Sequence, residues 1–426
     1  MMEKQVYPEL QETVFRETLP NGMPIAVVAR PDFTKKLVYF VTDYGAVHTE
    51  FSLEGEKIQA PAGIAHYLEH KLFDMPDRDV SAEFAALGAS VNAFTGYDLT
   101  AYYFTCTQNF TQCLKLLLEF VSTPYFTQQS VDKEQGIIGQ EIGMHADSPD
   151  ARVFENLMTA MYENHSVRVP ILGTQESISR ITPELLRQCH QAFYRPKNMF
   201  LCVVGDVDPA EVSQIARQLL PVTDQARVTV KRQWQETMTC PSPFTRENME
   251  VAMPTFQLGF KCEPPENGEQ AVFWEAVGDL AAEALFGESS QLYLRLYEDG
   301  IIDGSFGGGF ETVDNMALLT ASGDSENPEA VRAAILQQAE KIAREGIPQP
   351  DFLRMKRSAL GRRIRDLDSF DSIAFRLCAY HFSGFDYFRF PQIYRKVEIG
   401  DIQEFLRRVV TPQRCSLSVI YPNQEV

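Results

Sequence analysis

Ala62-Gly-Ile-Ala-His-Tyr-Leu-Glu-His-Lys-Leu-Phe73 carries the pattern H-x-x-E-H at His66, Glu69 and His70. On a helix, residues four apart stand one above the other, and the residue three along is their neighbour. His66 and His70 can therefore offer two imidazoles to one metal ion, with the Glu69 carboxylate beside them. The order inverts the H-E-x-x-H pattern, in which two histidines hold zinc and the glutamate serves as general base. Such a set points to metal-assisted hydrolysis of peptide bonds. The competing reading is a pair of packed core histidines, and the chain has only 7 His in 426 residues from which to make such a pattern.

A hydrolytic zinc takes three protein ligands and keeps one position open. The third ligand has to come from another element. The helix predicted over 131–146 carries Glu134 and Glu141, two turns apart on one face. It also carries Gly136, Gly139 and Gly143, each unfavourable by about 1 kcal/mol relative to Ala inside a helix. Close approach to the histidine helix is the expected compensation. The alternative is that both glutamates are ordinary solvent-facing residues.

At 426 residues and 44% apolar, the chain is long enough for two cored domains. A net charge of −19 without a basic stretch argues against nucleic-acid and anionic-membrane partners. No signal-like or membrane-spanning apolar run is present. The eight cysteines are scattered, without a C-x-x-C pair, as packed reduced thiols of a cytoplasmic protein would be.

Predicted elements come twice in the same order. Strands at 24–29 and 37–44 precede the metal segment. A helix at 80–87 leads to a hairpin of 90–95 with 99–106. Helices at 109–121, 131–146, 150–162 and 183–193 follow, then a strand at 200–204. Residues near 221–245 lose periodicity and gain Pro, Thr and charge. Beyond them come strands near 249–262, helices at 271–286 and 290–297, and strands at 305–312 and 316–322. Helices at 328–344, 350–367 and 369–382 and a strand at 416–421 complete the order. The expectation is a duplicated α+β fold: a metal-binding domain over 1–225, a linker over 226–245 and a second α+β domain over 246–426.

These residues resemble the pitrilysin/insulinase family of zinc peptidases, which includes mitochondrial processing peptidase. The likeness runs through Gly63 to Phe73, then Leu87-Gly-Ala-Ser-Val-Asn-Ala-Phe-Thr95 with Thr100-Ala-Tyr102. It continues through Glu134 with Gln140-Glu141-Ile142, Phe193-Tyr-Arg-Pro-Lys-Asn-Met199 and Val204-Gly-Asp-Val207. It is nearest to short bacterial members that occur as paired paralogues. The resemblance implies one zinc per chain, held by His66, His70 and Glu141, with Glu69 as general base. It implies that Glu134 orients a ligand histidine. Asn92 and Ala93 fall on the family's active-site edge strand, which pairs with an extended peptide substrate.

One departure bears on partners. Self-sufficient members carry an Arg and, seven residues later, a Tyr, both contacting substrate. Here Arg295 is kept and Ile302 stands where the Tyr belongs. The expectation is a heterodimer with a paralogue lacking H-x-x-E-H, with a homodimer as second choice. The runner-up reading is a non-catalytic structural or peptide-binding subunit of the same family.

Overall fold

The strand Met199–Gly205 is buried along its whole length, as its run of Met, Phe, Leu, Cys and Val dictates for a strand covered on both faces. It pairs in parallel with Pro24–Ala29 and antiparallel with Lys36–Thr42. The computed structural model describes residues 2–76, 78–220, 226–232, 234–264, 268–313 and 316–423. Among them the chain forms two units, 1–142 with 170–231 and 364–388, and 143–169 with 232–363 and 389–426.

The first unit holds a seven-stranded sheet in the order Glu3–Tyr7, Glu12–Thr18, Pro24–Ala29, Met199–Gly205, Lys36–Thr42, Thr100–Cys106, Ser90–Thr95. The second holds a five-stranded sheet in the order Phe244–Met249, Cys415–Pro422, Thr255–Cys262, Met316–Asp324, Gly307–Val313. The last five strands of the first sheet match the second sheet position for position. In each, the first pair is parallel and the remaining pairs are antiparallel. The fold is α+β and duplicated. The strands expected near 249–262 are Phe244–Met249 and Thr255–Cys262, divided near Pro254, whose missing N–H interrupts a ladder.

The units do not follow the chain order of the 1–225, 226–245 and 246–426 expectation. The helix Pro149–Met161 belongs to the second unit, where it lies on that unit's sheet. A Cβ on Gly259 would fall 2.4 Å from Met161 Sδ, so glycine is what lets the helix lie so close to the strand. The helix Phe370–Phe382 covers the first sheet instead, with the His381 ring stacked on Phe200 at 4.3 Å. Each sheet is thus covered by a helix from the other half of the sequence. Within the span expected to be a linker, Val228–Val230 forms a strand against Glu50–Leu53; residues 221–225 and Gln233 lie outside the described set.

Candidate metal centre

Residues 64–72 form the helix expected to carry the metal pattern, and it is buried almost all round. Its start is fixed by two glycines set against each other. Gly63 has φ 88°, and a Cβ there would meet the Leu172 carbonyl oxygen at 2.4 Å. A Cβ on Gly173, φ 75°, would meet the Ala62 carbonyl oxygen at 2.5 Å. Ser177 Oγ donates to that same Ala62 oxygen at 2.8 Å. The first turn of the helix is therefore clamped to the loop before Gln175–Ile178.

The helix Gln128–Ala146 supplies both glutamates. The Tyr67 hydroxyl donates to the Val131 carbonyl and ties the two helices together. The glycines of this helix do not serve close helix packing: alanine methyls at Gly136 and Gly143 would meet open space, and at Gly139 only the Gln175 side chain. That expectation is corrected. Contact between the two helices runs through side chains, which glycine does not have.

His66, His70 and Glu141 each bring a ligand atom within 4.8 Å of the others. Both histidine Nε2 atoms stand 3.7 Å from a Glu141 oxygen, beyond hydrogen-bond reach. Ligands around a tetrahedral zinc at about 2.0–2.1 Å stand roughly 3.3 Å apart, so a small contraction seats an ion. His66 Nδ1 is buried with no hydrogen-bond partner among the described residues, and Nε2 faces Glu141 without bonding it. The Nε2 lone pair, 3.7 Å from the Glu141 oxygen, is the one a cation there would take up; Nδ1 lies on the other edge of the ring. Two imidazoles and a carboxylate are a zinc donor set. The residues fit the metal.

The neighbouring groups are equally ordered. Glu134 Oε1 lies 3.0 Å from His70 Nδ1, and its side chain is 14% exposed, so it is no solvent-facing residue. Glu69 is 8% exposed, with Oε2 accepting from Thr95 Oγ1 at 2.7 Å. In the metal-free chain burial pushes His66 down to about 4. Burial pulls His70 down too, but the Glu134 hydrogen bond and the surrounding carboxylates outweigh it and raise its pKa. Burial raises Glu69 against the Thr95 bond and the His70 charge.

Ser90–Thr95 is the edge strand of its sheet, paired only with Thr100–Cys106. Gly96 N donates to Leu99 O at 2.8 Å. The alternation of an antiparallel ladder then turns the backbone groups of Val91, Ala93 and Thr95 to the free edge. Asn92 Oδ1 accepts from the Ala93 N–H at 2.8 Å. Arg295 lies in the second unit, exposed on the helix Gln291–Glu298. Ile302 is 4% exposed. Thr95, Tyr67 and Lys71 were not singled out from the sequence. Thr95 follows from strand parity once Ala93 is placed, whereas nothing in the sequence announces a buried lysine.

Residues 56–175 match Insulinase (Peptidase family M16), and residues 180–359 match the Peptidase M16 inactive domain. The uncharacterized zinc protease YmfH of Bacillus subtilis is 37% identical over 98% of both chains. The chain belongs to peptidase family M16. An M16-like peptidase from Alicyclobacillus acidocaldarius shares the fold of this M16 chain at TM-score 0.91, with 28% identity over 99% of each. The periplasmic protease PqqL from Escherichia coli matches at TM-score 0.74 and 19% identity, a likeness of fold alone. It covers 96% of this chain but 48% of PqqL, so that protein is about twice as long.

Proposed function

We propose that this M16 chain is a zinc-dependent endopeptidase that cleaves short or unfolded peptides together with a second subunit. The observation that carries the reading is the convergence of His66, His70 and Glu141 beside a buried Glu69 at the end of an edge strand paired along one side. A metal held by those three residues supplies Lewis acidity, which makes water nucleophilic near neutral pH and polarises the scissile carbonyl. Thr95 occupies one oxygen of Glu69. The other is left to take the proton of the attacking water and pass it to the leaving amine. Glu134 accepts from His70 Nδ1–H, so the Nε2 lone pair faces Glu141. A peptide adding as a strand along Val91–Thr95, in place of the Asn92 side chain at Ala93 N–H, runs toward Glu69.

The need for a second subunit is supported by Ile302. Its burial removes it from any substrate, so the tyrosine expected at that position has to come from elsewhere. PqqL, about twice the length of this chain, is consistent with two such halves acting together. A paralogue lacking H-x-x-E-H is the first choice, a second copy the next, and Arg295 is assigned to substrate contact on the same reading. A cytoplasmic location is supported by eight buried, unbridged cysteines. No helix among the described residues is long and apolar enough to cross a membrane.

Elemental analysis of the purified chain beside His70→Ala and Glu141→Gln tests the reading. About one zinc per chain in the wild type, lost in both variants, is expected. A folded wild type that takes up no metal after incubation with zinc overturns it in favour of a non-catalytic subunit.

A further inference from the structure

Lys71 follows the second histidine directly, and its side chain is wholly buried. A lysine ammonium in such a place is strongly unfavourable unless paired, and a methionine or leucine would fill the same space without a charge. The ammonium has three partners: the Asp74 carboxylate, the Ser130 carbonyl oxygen at 3.3 Å and Glu134 Oε2 at 3.7 Å. The other oxygen of Glu134 is the one against His70 Nδ1, at 3.0 Å. Lys71 and His70, adjacent in sequence and about 100° apart around the helix, thus share the two oxygens of one carboxylate from another helix. Ser130 lies on that same helix, one turn before Glu134. A lysine present only to complement the carbonyls at its own helix end would have no reason to reach across to the neighbouring one.

We propose that Lys71 is a positioning residue of the metal centre: it holds Glu134 Oε2 so that Oε1 faces His70 Nδ1 and the ring presents Nε2 to the ion. The inference rests on the zinc reading above. Its chain of contacts is Asp74, Lys71, Glu134, His70. Replacing an outer partner of this kind weakens metal binding by about 10- to 100-fold. Lys71 acts one step further out, so about tenfold is expected.

The test is zinc affinity of the full chain, measured by competition with a chromophoric chelator, for wild type, Lys71→Met, Glu134→Gln and the double variant. Lys71→Met is expected to weaken zinc binding about tenfold in the wild-type background and by less than about twofold in the Glu134→Gln background. The two residues then act through one path. A Lys71→Met chain with wild-type affinity, or one that loses the same factor in both backgrounds, overturns the proposal while leaving the zinc site standing. If the wild type itself binds no zinc, the underlying reading fails and the proposal with it. Should Lys71→Met not fold, Lys71→Gln keeps a polar head for Asp74 and Ser130 and carries the same two-background comparison.

Discussion

Replacing Gly63 by alanine tests how the metal helix is held. At φ 88° an L-residue loses about 1 kcal/mol or more. The new Cβ would sit 2.4 Å from the Leu172 carbonyl oxygen, and a backbone atom cannot swing aside as a side-chain tip can. The two strands of backbone have to separate. That breaks the Ser177 Oγ bond to Ala62 O, for about 1 kcal/mol, and shifts a packed helix start, for about 1–2 kcal/mol more. The sum is about 3–4 kcal/mol, or a fall of roughly 10 °C in the unfolding midpoint of a unit of this size. Circular dichroism of the metal-free chain reads it, and zinc affinity should fall with it because His66 lies in the displaced first turn. Gly136→Ala is the control: its methyl meets open space, so it should stabilise the chain by up to about 1 kcal/mol. A Gly63→Ala midpoint equal to that of wild type would refute the clamp.

Thr95→Val removes the side-chain hydrogen bond that Glu69 accepts. A bond to a charged group contributes about 1.5–3 kcal/mol, so kcat of the assembled enzyme should drop about tenfold or more with zinc content unchanged; loss of zinc instead would refute the assignment. Ile302→Tyr should not restore a missing substrate contact. It should destabilise the chain by about 1–3 kcal/mol through overpacking, visible in a urea melt, and a gain of activity without a partner would contradict the placement. His190 is buried, its Nε2 is 2.9 Å from Val121 O, and burial pushes its pKa down to about 4. The unfolded chain therefore binds a proton as pH falls through about 6.5 while the folded chain does not until about 4. His190 contributes its full stability above pH 6.5 and loses up to about 3 kcal/mol of it on the way to pH 4. Urea midpoints at pH 7 and 4.5 should diverge less in His190→Gln than in wild type, and equal divergence would count against the burial argument.

The parts of this molecule legible in the sequence are those where a local pattern and a packing requirement coincide. Pro24–Ala29 and Pro183–Phe193 sit at the residues that a continuous apolar run after a turn, and a Thr cap with Pro at the first helical turn, select. The strands Glu3–Tyr7 and Glu12–Thr18 are absent from the predicted order, because their polar and charged residues leave only short apolar pairs, Val6-Tyr7 and Val14-Phe15. The helix Ile399–Val409 is absent from the predicted order although it carries a clear apolar stripe. The exchange of Pro149–Met161 and Phe370–Phe382 between units leaves no local mark. Both helices are amphipathic wherever they dock, and only Gly259 hints at which sheet receives one. The glycines of Gln128–Ala146 misled for a related reason: composition shows that a helix is costly, not what stands opposite it. The metal cluster was legible because the spacing of His66 and His70 is itself geometry, whereas Glu141 needed the family resemblance to be chosen over Glu134.

The duplication gives the cluster a second meaning. Around a sheet of the same order, the helices Glu269–Phe286 and Gln349–Arg365 take the places of the histidine helix and the glutamate helix. There Arg363, 7% exposed, reaches across from the second helix to Glu275 at 2.6 Å and Asp279 at 3.1 Å on the first. Tyr394 adds a hydrogen bond to the same Asp279 oxygen at 2.8 Å. Burial raises Asp279, and the guanidinium beside it opposes the rise. In the second unit, then, carboxylates and a cation join the two helices, as they would in the first on the zinc reading proposed above. In the second the cation is part of the chain and permanently charged, so no ion is needed and no open coordination position exists for water. In the first, the Nε2 atoms of His66 and His70 each face a Glu141 oxygen at 3.7 Å, just out of hydrogen-bond reach. On the zinc reading proposed above, the second unit closes this joint with an arginine, and the first, among the described residues, leaves it to an exogenous ion.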